Sequence, residues 1–357
     1  MTTDREAMAA LVKAKARALG FDAVGFADAS VPLELEHARY GEFLSNGLAG
    51  TMQYLADNRD VRRRLDTDAI LPGAKTVICL AKRYQRGVAS ESADPPLAQR
   101  VARYARGHDY HNVVRRKLRR LAVFLRSLGE PGAPPRARPL VDDVPVLERA
   151  WAARAGIGFI GKNGMLIVPG EGSFVLLGEV VTTLDLPPDA AITERCGSCT
   201  RCLEACPTQA FLRPFVLDPR RCIAYLTIEL RGAVPEGQRE SVGDHLFGCD
   251  DCQTVCPFNA AARDSAAART FEPLPLWATL TLEELLKMDA TTWEARTLGS
   301  PIKRAELAGM ARNAATVLGN RRDVGARAAL GRAAREHPDA SVRETAAWAI
   351  GRLPHLP

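Results

Sequence analysis

Long apolar runs are missing from this chain of 357 residues. No stretch approaches 18 uncharged apolar residues, which excludes a membrane-spanning helix. Met1 to Gly20 has neither an apolar h-region nor a twin arginine, so it reads as an amphipathic helix and not as an export signal. A strong charge of one sign is missing too. Lys+Arg number 48 against 42 Asp+Glu, a formal net charge of +6, which favours an anionic partner only weakly. A cytoplasmic, reducing setting is expected, and there nine cysteines read as metal ligands before disulfides.

Most of those cysteines fall in two groups. Cys196-Gly-Ser-Cys199-Thr-Arg-Cys202-Leu-Glu-Ala-Cys206-Pro207 spells C-x2-C-x2-C-x3-C-P, the run that holds cubane clusters in two-cluster ferredoxins. Cys249-Asp-Asp-Cys252-Gln-Thr-Val-Cys256-Pro257 fits the same run with its first cysteine missing at Leu246, and Cys222 upstream can replace it. In such ferredoxins the cysteine before proline ligates the other cluster. One [4Fe-4S] cluster is therefore expected on Cys196, Cys199, Cys202 and Cys256. The other is expected on Cys206, Cys222, Cys249 and Cys252. Zinc also takes C-x2-C pairs, but seldom needs three thiolates within seven residues plus Cys-Pro. Cys79 remains, inside an apolar strand, as a core thiol.

Periodicity supplies the frame. Helices are expected over Asp4–Leu19, Pro32–Asn46 and Met52–Ala56, a long basic helix over Arg100–Leu128, and a further helix over Val146–Ala155. Strands are expected at Ala23–Ala27, Thr76–Ala81, up to Val141, at Met165–Val168 and at Phe174–Thr183, with Gly87–Pro96 a loop. This alternation predicts an α/β domain over residues 1–187. A ferredoxin-like domain over 188–270 and a helical domain over 271–357 follow. In the last, Val324–Glu336 and Ser341–Leu353 look like a HEAT-type pair. The architecture expected is α+β and multidomain. Gly156, Gly158 and Gly161 match G-x-G-x-x-G, but a helix precedes the loop and a strand follows, the reverse of a dinucleotide fingerprint.

Gly47–Leu55 (GLAGTMQYL), Tyr104–His111 (YARGHDYH), Val141–Glu148 (VDDVPVLE), Ala155–Asn163, Gly172–Glu179 (GSFVLLGE), Leu217–Glu229 around Cys222, Gly299–Arg304 and Arg312–Ala315 form an ordered set of motifs. In sequence and order the set resembles the epoxyqueuosine reductase family. Departures stand at Asp57 and Asn58, at His108 and at Asp143. The resemblance implies a nitroreductase-like cobalamin-binding domain and two clusters. It also implies reduction of epoxyqueuosine to queuosine at the wobble position of a tRNA anticodon stem-loop.

On that resemblance Asp142 is the proton donor, its pKa raised by burial against the cofactor, with Asp143 a helix cap or modulator. Lys162, Asn163, Ser173 and Thr227 are candidates for cofactor contacts. The cobalt-ligating D-x-H-x-x-G motif is absent: Asp109-Tyr-His111-Asn-Val-Val114 starts like it but lacks the glycine. Base-off cobalamin with no side chain on cobalt is therefore expected. Eleven cations between Leu97 and Leu140, with Lys303, Arg304, Arg312, Arg321 and Arg322 in the tail, suit tRNA phosphates. A monomer fed by an external electron donor is expected. The competing readings are a reductive dehalogenase-like oxidoreductase, a plain two-cluster electron carrier and a zinc-bound RNA-binding protein.

Overall fold

The computed structural model describes residues 2–129, 132–142, 144–260 and 271–354. Asp143, expected as cap or modulator, lies outside them. In the N-terminal half, β1 (Ala23–Asp28), β2 (Thr76–Arg83), β3 (Ala137–Leu140) and, after the short pair β4 (Phe159–Ile160) and β5 (Leu166–Ile167), β6 (Val175–Thr182) carry the sheet structure. Four of them form one sheet in the order β1-β2-β6-β3. Every pairing in it is antiparallel, so the α/β expectation is corrected to an antiparallel sheet flanked by helices. The cause lies in burial: β2 is covered on both faces, so its sequence is a continuous apolar run of the kind parallel strands show.

Alternate residues of β2 serve two cores, as the two-residue period of a strand requires. Ile78 and Leu80 pack with Val12 of the helix Thr2–Ala18 and with Val114, Leu118 and Leu121 of the helix Tyr110–Arg126. Val77, Cys79 and Ala81 pack with Trp151 and Ala152 of the helix Glu148–Arg154. Cys79 is fully buried.

The basic helix starts ten residues later than its composition suggests, at Tyr110. Asp109 caps it by accepting from the His111 backbone N–H. The preceding residues have another use. Leu97, Ala98, Val101 and Ala105 enter the core of the C-terminal helices with Phe247 and Trp277. The Ala102 N–H donates to the Phe247 carbonyl at 2.8 Å. A short helix, Val88–Ser92, occupies part of the expected loop before them.

The tail is helical: Glu306–Arg321, Arg327–Glu336 and Ala340–Gly351 stack on one another. A Cβ at Gly319 would lie 2.7 Å from Trp348 and 2.9 Å from the Cα of Ala349, so these helices meet nearly backbone to backbone. The tail also reaches the sheet domain. The Trp277 indole donates to the Arg106 carbonyl at 2.7 Å, and the Asp109 N–H donates to the Gly299 carbonyl at 2.7 Å. Thus Gly299 fixes the start of the helix that carries Tyr110 and His111.

Candidate active site and cysteine relay

Cys196, Cys199, Cys202 and Cys256 line one cavity, together with Lys162, Asn163, Ile167 and Phe258. Burial raises the Cys196 thiol to about 11, and Glu194 and Cys256 add to the rise. Near the second group, burial raises the Cys252 thiol, with Cys222, Asp250, Cys202 and Cys206 adding to it. A short helix lies within each run, Arg201–Glu204 around Cys202 and Asp251–Thr254 around Cys252. The two foursomes are thus neighbours in space, with Cys256 in the first although the second run encodes it. Among the described residues His245, Cys249 and Asp251 form a further close group, their ligand atoms within 4.8 Å of one another.

The four other candidates sit at this junction, and protein engages their polar atoms. The Lys162 ammonium donates to the carbonyls of Gly197 (2.5 Å) and Cys199 (3.1 Å). The Asn163 amide donates to the Cys252 carbonyl at 3.4 Å. The Ser173 hydroxyl donates to Gln253 at 3.0 Å and accepts from Asn259 at 2.9 Å. The Thr227 hydroxyl donates to the Ile223 carbonyl at 2.7 Å and accepts from the Gly248 N–H at 2.9 Å. Ser173 and Thr227 are fully buried. Thr227 lies in a π-helix, Tyr225–Glu229, an irregularity frequent at functional sites.

Asp142 stands where β3 ends, on a loop held in an unusual conformation. Its φ is +25°, in the region that disfavours side chains other than Asn and Asp. Glu148 accepts from the Asp142 N–H at 2.9 Å and holds it there. The carboxylate is half-exposed and has two donors on one oxygen: the Tyr110 hydroxyl, and His111 Nε2 at 3.3 Å. The other imidazole nitrogen, Nδ1, donates to Asp109 at 2.7 Å, which fixes the ring with Nε2 towards Asp142.

The protein's own groups pull the Asp142 carboxyl in opposite directions. Partial burial pushes it up, but the hydrogen bonds from His111 and Tyr110 and the charges of His111 and Arg304 outweigh this, and the net direction is down. His111 is shifted the other way. Burial opposes a charged His111, yet Asp109 and Asp142 raise its pKa to about 9. Glu148, raised to about 7 by burial and by Asp142, is a third acid beside them. Burial also raises the buried Glu179 carboxyl well above its usual range.

Arg304 completes the rim. It grips Glu229 with two 2.8 Å bonds and lies 5.0 Å over the Tyr54 ring. Sequence reasoning singled out Asp142 but gave His111 no proton role and passed over Tyr110, Glu148 and the Arg304–Glu229 pair. The signal was present, in Tyr104–His111 and Gly299–Arg304, two stretches used only as marks of resemblance.

Two neighbouring groups of cysteines in ferredoxin-type spacing define a class, the iron–sulfur proteins. Comparisons with known proteins narrow the class to a family. A model described as "4Fe-4S double cluster binding domain" matches residues 195–259, and one described as "Epoxyqueuosine reductase QueG, DUF1730" matches residues 64–143. An epoxyqueuosine reductase of Gloeobacter violaceus is 43% identical over 317 residues, covering 87% of this chain and 96% of its own length. That of Xanthomonas campestris pv. campestris is 41% identical over 353 residues, 96% of each chain. A crystal structure of epoxyqueuosine reductase with an epoxyqueuosine-modified tRNA-Tyr stem loop superposes with a TM-score of 0.86 at 33% identity, covering 98% of this chain and 90% of that one. The chain belongs to the epoxyqueuosine reductase family.

Cobalamin and two [4Fe-4S] clusters are the family's cofactors, and the residues present fit them. Eight thiols suit two clusters. For the corrinoid, both ring nitrogens of His111 are engaged, as are both of His245, by the Val242 carbonyl and Asp251. Neither of these two has a ring nitrogen without a partner.

Proposed function

We propose that this protein reduces epoxyqueuosine to queuosine at the wobble position of a tRNA anticodon, drawing electrons through two [4Fe-4S] clusters and using cobalamin. The observation that carries the reading is the Asp142–His111–Asp109 line. It stands in the same chain as eight cysteines arranged in two interleaved foursomes: Cys196, Cys199, Cys202 and Cys256; Cys206, Cys222, Cys249 and Cys252.

The overall change removes the epoxide oxygen as water, consuming two electrons and two protons and leaving a carbon–carbon double bond. Cobalamin, when bound, supplies the reduced cobalt centre through which the electrons reach the epoxide carbons. The protein's residues manage the protons. Carbon–oxygen cleavage develops an alkoxide, a poor leaving group until protonated. Asp142 and His111 share one transferable proton as a pair, and Tyr110 holds the carboxylate oxygen that the imidazole faces. Asp142's other oxygen is left for the substrate. Asp109 keeps the imidazole in the tautomer that can hand its proton on, the role a buried carboxylate has in other acid–imidazole lines.

Lys162 and Asn163 tie the glycine-rich loop to the two cysteine runs and so set the spacing of relay and sheet domain. Ser173 and Thr227 support that junction from beneath. For tRNA, the exposed Arg116, Arg119 and Arg120 on the helix Tyr110–Arg126 are the phosphate contacts we favour. The tail's last helices act as a HEAT-like pair that extends the surface, and the enzyme works as a monomer. The test is anaerobic incubation with cobalamin, a reductant and epoxyqueuosine-containing tRNA. Queuosine is the expected product, and its absence with both clusters loaded would refute the reading.

A further inference from the structure

The two cysteine foursomes differ in surroundings. Around the first run, Glu194, Arg195, Gly197, Ser198, Thr200 and Arg201 are all exposed. Around the second, Leu246, Phe247, Gly248 and Asp250 are buried. Electrons from outside therefore meet the first foursome before the second.

A hairpin stands beside that entrance. Phe211–Arg213 pairs with Val216–Leu217, and the hairpin carries Leu212, 57% exposed, on its first strand and Phe215, 48% exposed, in its turn. Lys162 joins the hairpin to the cysteine loop: its carbonyl accepts from the Phe215 N–H at 2.9 Å, and its ammonium bonds the carbonyls of Gly197 and Cys199. Three exposed arginines, Arg195, Arg201 and Arg213, have no ion pair among the described residues. The two nearest acids are committed. Glu194 accepts from the Cys196 N–H and Glu204 from the Thr200 hydroxyl. Two apolar side chains with unpaired arginines at the mouth of an electron path make an apolar spot with a positive rim, the pattern of a transient protein interface.

We infer that this face, Leu212 and Phe215 with Arg195 and Arg213, docks a small acidic ferredoxin that feeds the first cluster. Charge complementarity selects an acidic partner. An iron–sulfur carrier matches the chemistry of the accepting centre. In each encounter the carrier's reduced cluster gives up one electron, and the enzyme's first cluster, in its oxidised form, takes it. No bond is made or broken, and two encounters supply one turnover. The inference rests on the assignment of the cysteines to clusters, but not on the tRNA substrate.

The experiment is anaerobic rapid mixing of the cluster-loaded enzyme with a reduced, acidic [2Fe-2S] ferredoxin, following its reoxidation, without tRNA. Arg195→Glu with Arg213→Glu is expected to slow the second-order step about 10- to 100-fold and to flatten its salt dependence. Leu212→Gln is expected to slow it about three- to tenfold by removing the apolar spot. Iron content, reduction by dithionite and tRNA affinity should stay as in the parent. An unchanged ferredoxin rate would overturn the inference. So would a parallel loss of tRNA affinity, which would show that RNA covers this face, or fast reduction by an acidic flavodoxin but not by the ferredoxin.

Discussion

Replacing His111 by glutamine tests where the reactive proton is stored. Glutamine can still donate to Asp142 but cannot carry a titratable proton. In the parent, His111 has a pKa of about 9, so at about pH 8 the His111–Asp142 pair is roughly nine-tenths loaded. Without the imidazole the proton must sit on Asp142 alone. A lone carboxyl, which titrates far below an imidazolium, keeps on the order of 1% of its protons or less at about pH 8. The single-turnover rate of queuosine formation should therefore fall about 100-fold there, and the deficit should shrink towards about pH 6. The assay is a rate profile across this range with saturating tRNA and pre-reduced enzyme. The parent's alkaline limb should fall near pH 9 and the variant's well below it. A variant whose limb stays near 9 would refute the assignment. Stability gives an independent reading of the same sign. His111 binds its proton more tightly folded than unfolded, so its contribution is complete below about pH 6.5 and fades as pH rises through about 9. With the side chain 27% exposed, screening leaves about 1–2 kcal/mol. The parent should lose thermal stability faster than His111→Gln over that window.

Asp142→Asn should keep both clusters, and the loop should stay folded because asparagine tolerates φ of +25°. Turnover should fall about 10²- to 10⁴-fold, the usual worth of a placed acid; retained turnover would remove Asp142 from the role. Arg119→Ala with Arg120→Ala should weaken tRNA binding and lower its salt slope by about one unit per lost contact, read by titration at several salt concentrations; an unchanged slope would clear them of phosphate contact. Arg312→Leu should act on stability and not on tRNA. Arg312 is 1% exposed and donates to the carbonyls of Leu226, Leu230 and Gly232, so its loss strands three acceptors at about 1–3 kcal/mol each, visible as a lowered melting temperature.

Cysteine spacing was readable because cluster ligation is local: two intervening residues let thiolates close on one iron cube wherever the rest of the chain goes. The stretch around Asp142 was readable as a resemblance. The partners of its carboxylate were not, because His111 reaches it in space from 31 positions earlier. The sheet's antiparallel order was hidden for a related reason. The pairing of Cys79 with Glu179 joins residues a hundred positions apart, and strands buried on both faces carry no alternation to show direction. The extended basic helix failed at its start. Composition supports a helix from Arg100, but it cannot show that Leu97–Ala105 is used by the tail's core.

The cations singled out in the sequence divide the same way, and the division bears on substrate binding. Arg106 and Arg312 are buried. Arg126, Arg136 and Arg138 donate to backbone carbonyls. Arg304 pairs with Glu229, Arg100 and Arg321 with Asp244, Lys303 with Glu294, and Arg103 with Glu91 and Asp250. A charge count over the chain therefore overstates the phosphate-binding surface. Arg116, Arg119 and Arg120 remain exposed on the helix whose first turn presents Tyr110 and His111. An anticodon arm held along that helix would have its backbone on the arginines while its splayed wobble base reached Asp142 at the helix start. One helix, pinned at its N-terminus by Gly299, would then set both the register of the RNA and the position of the proton.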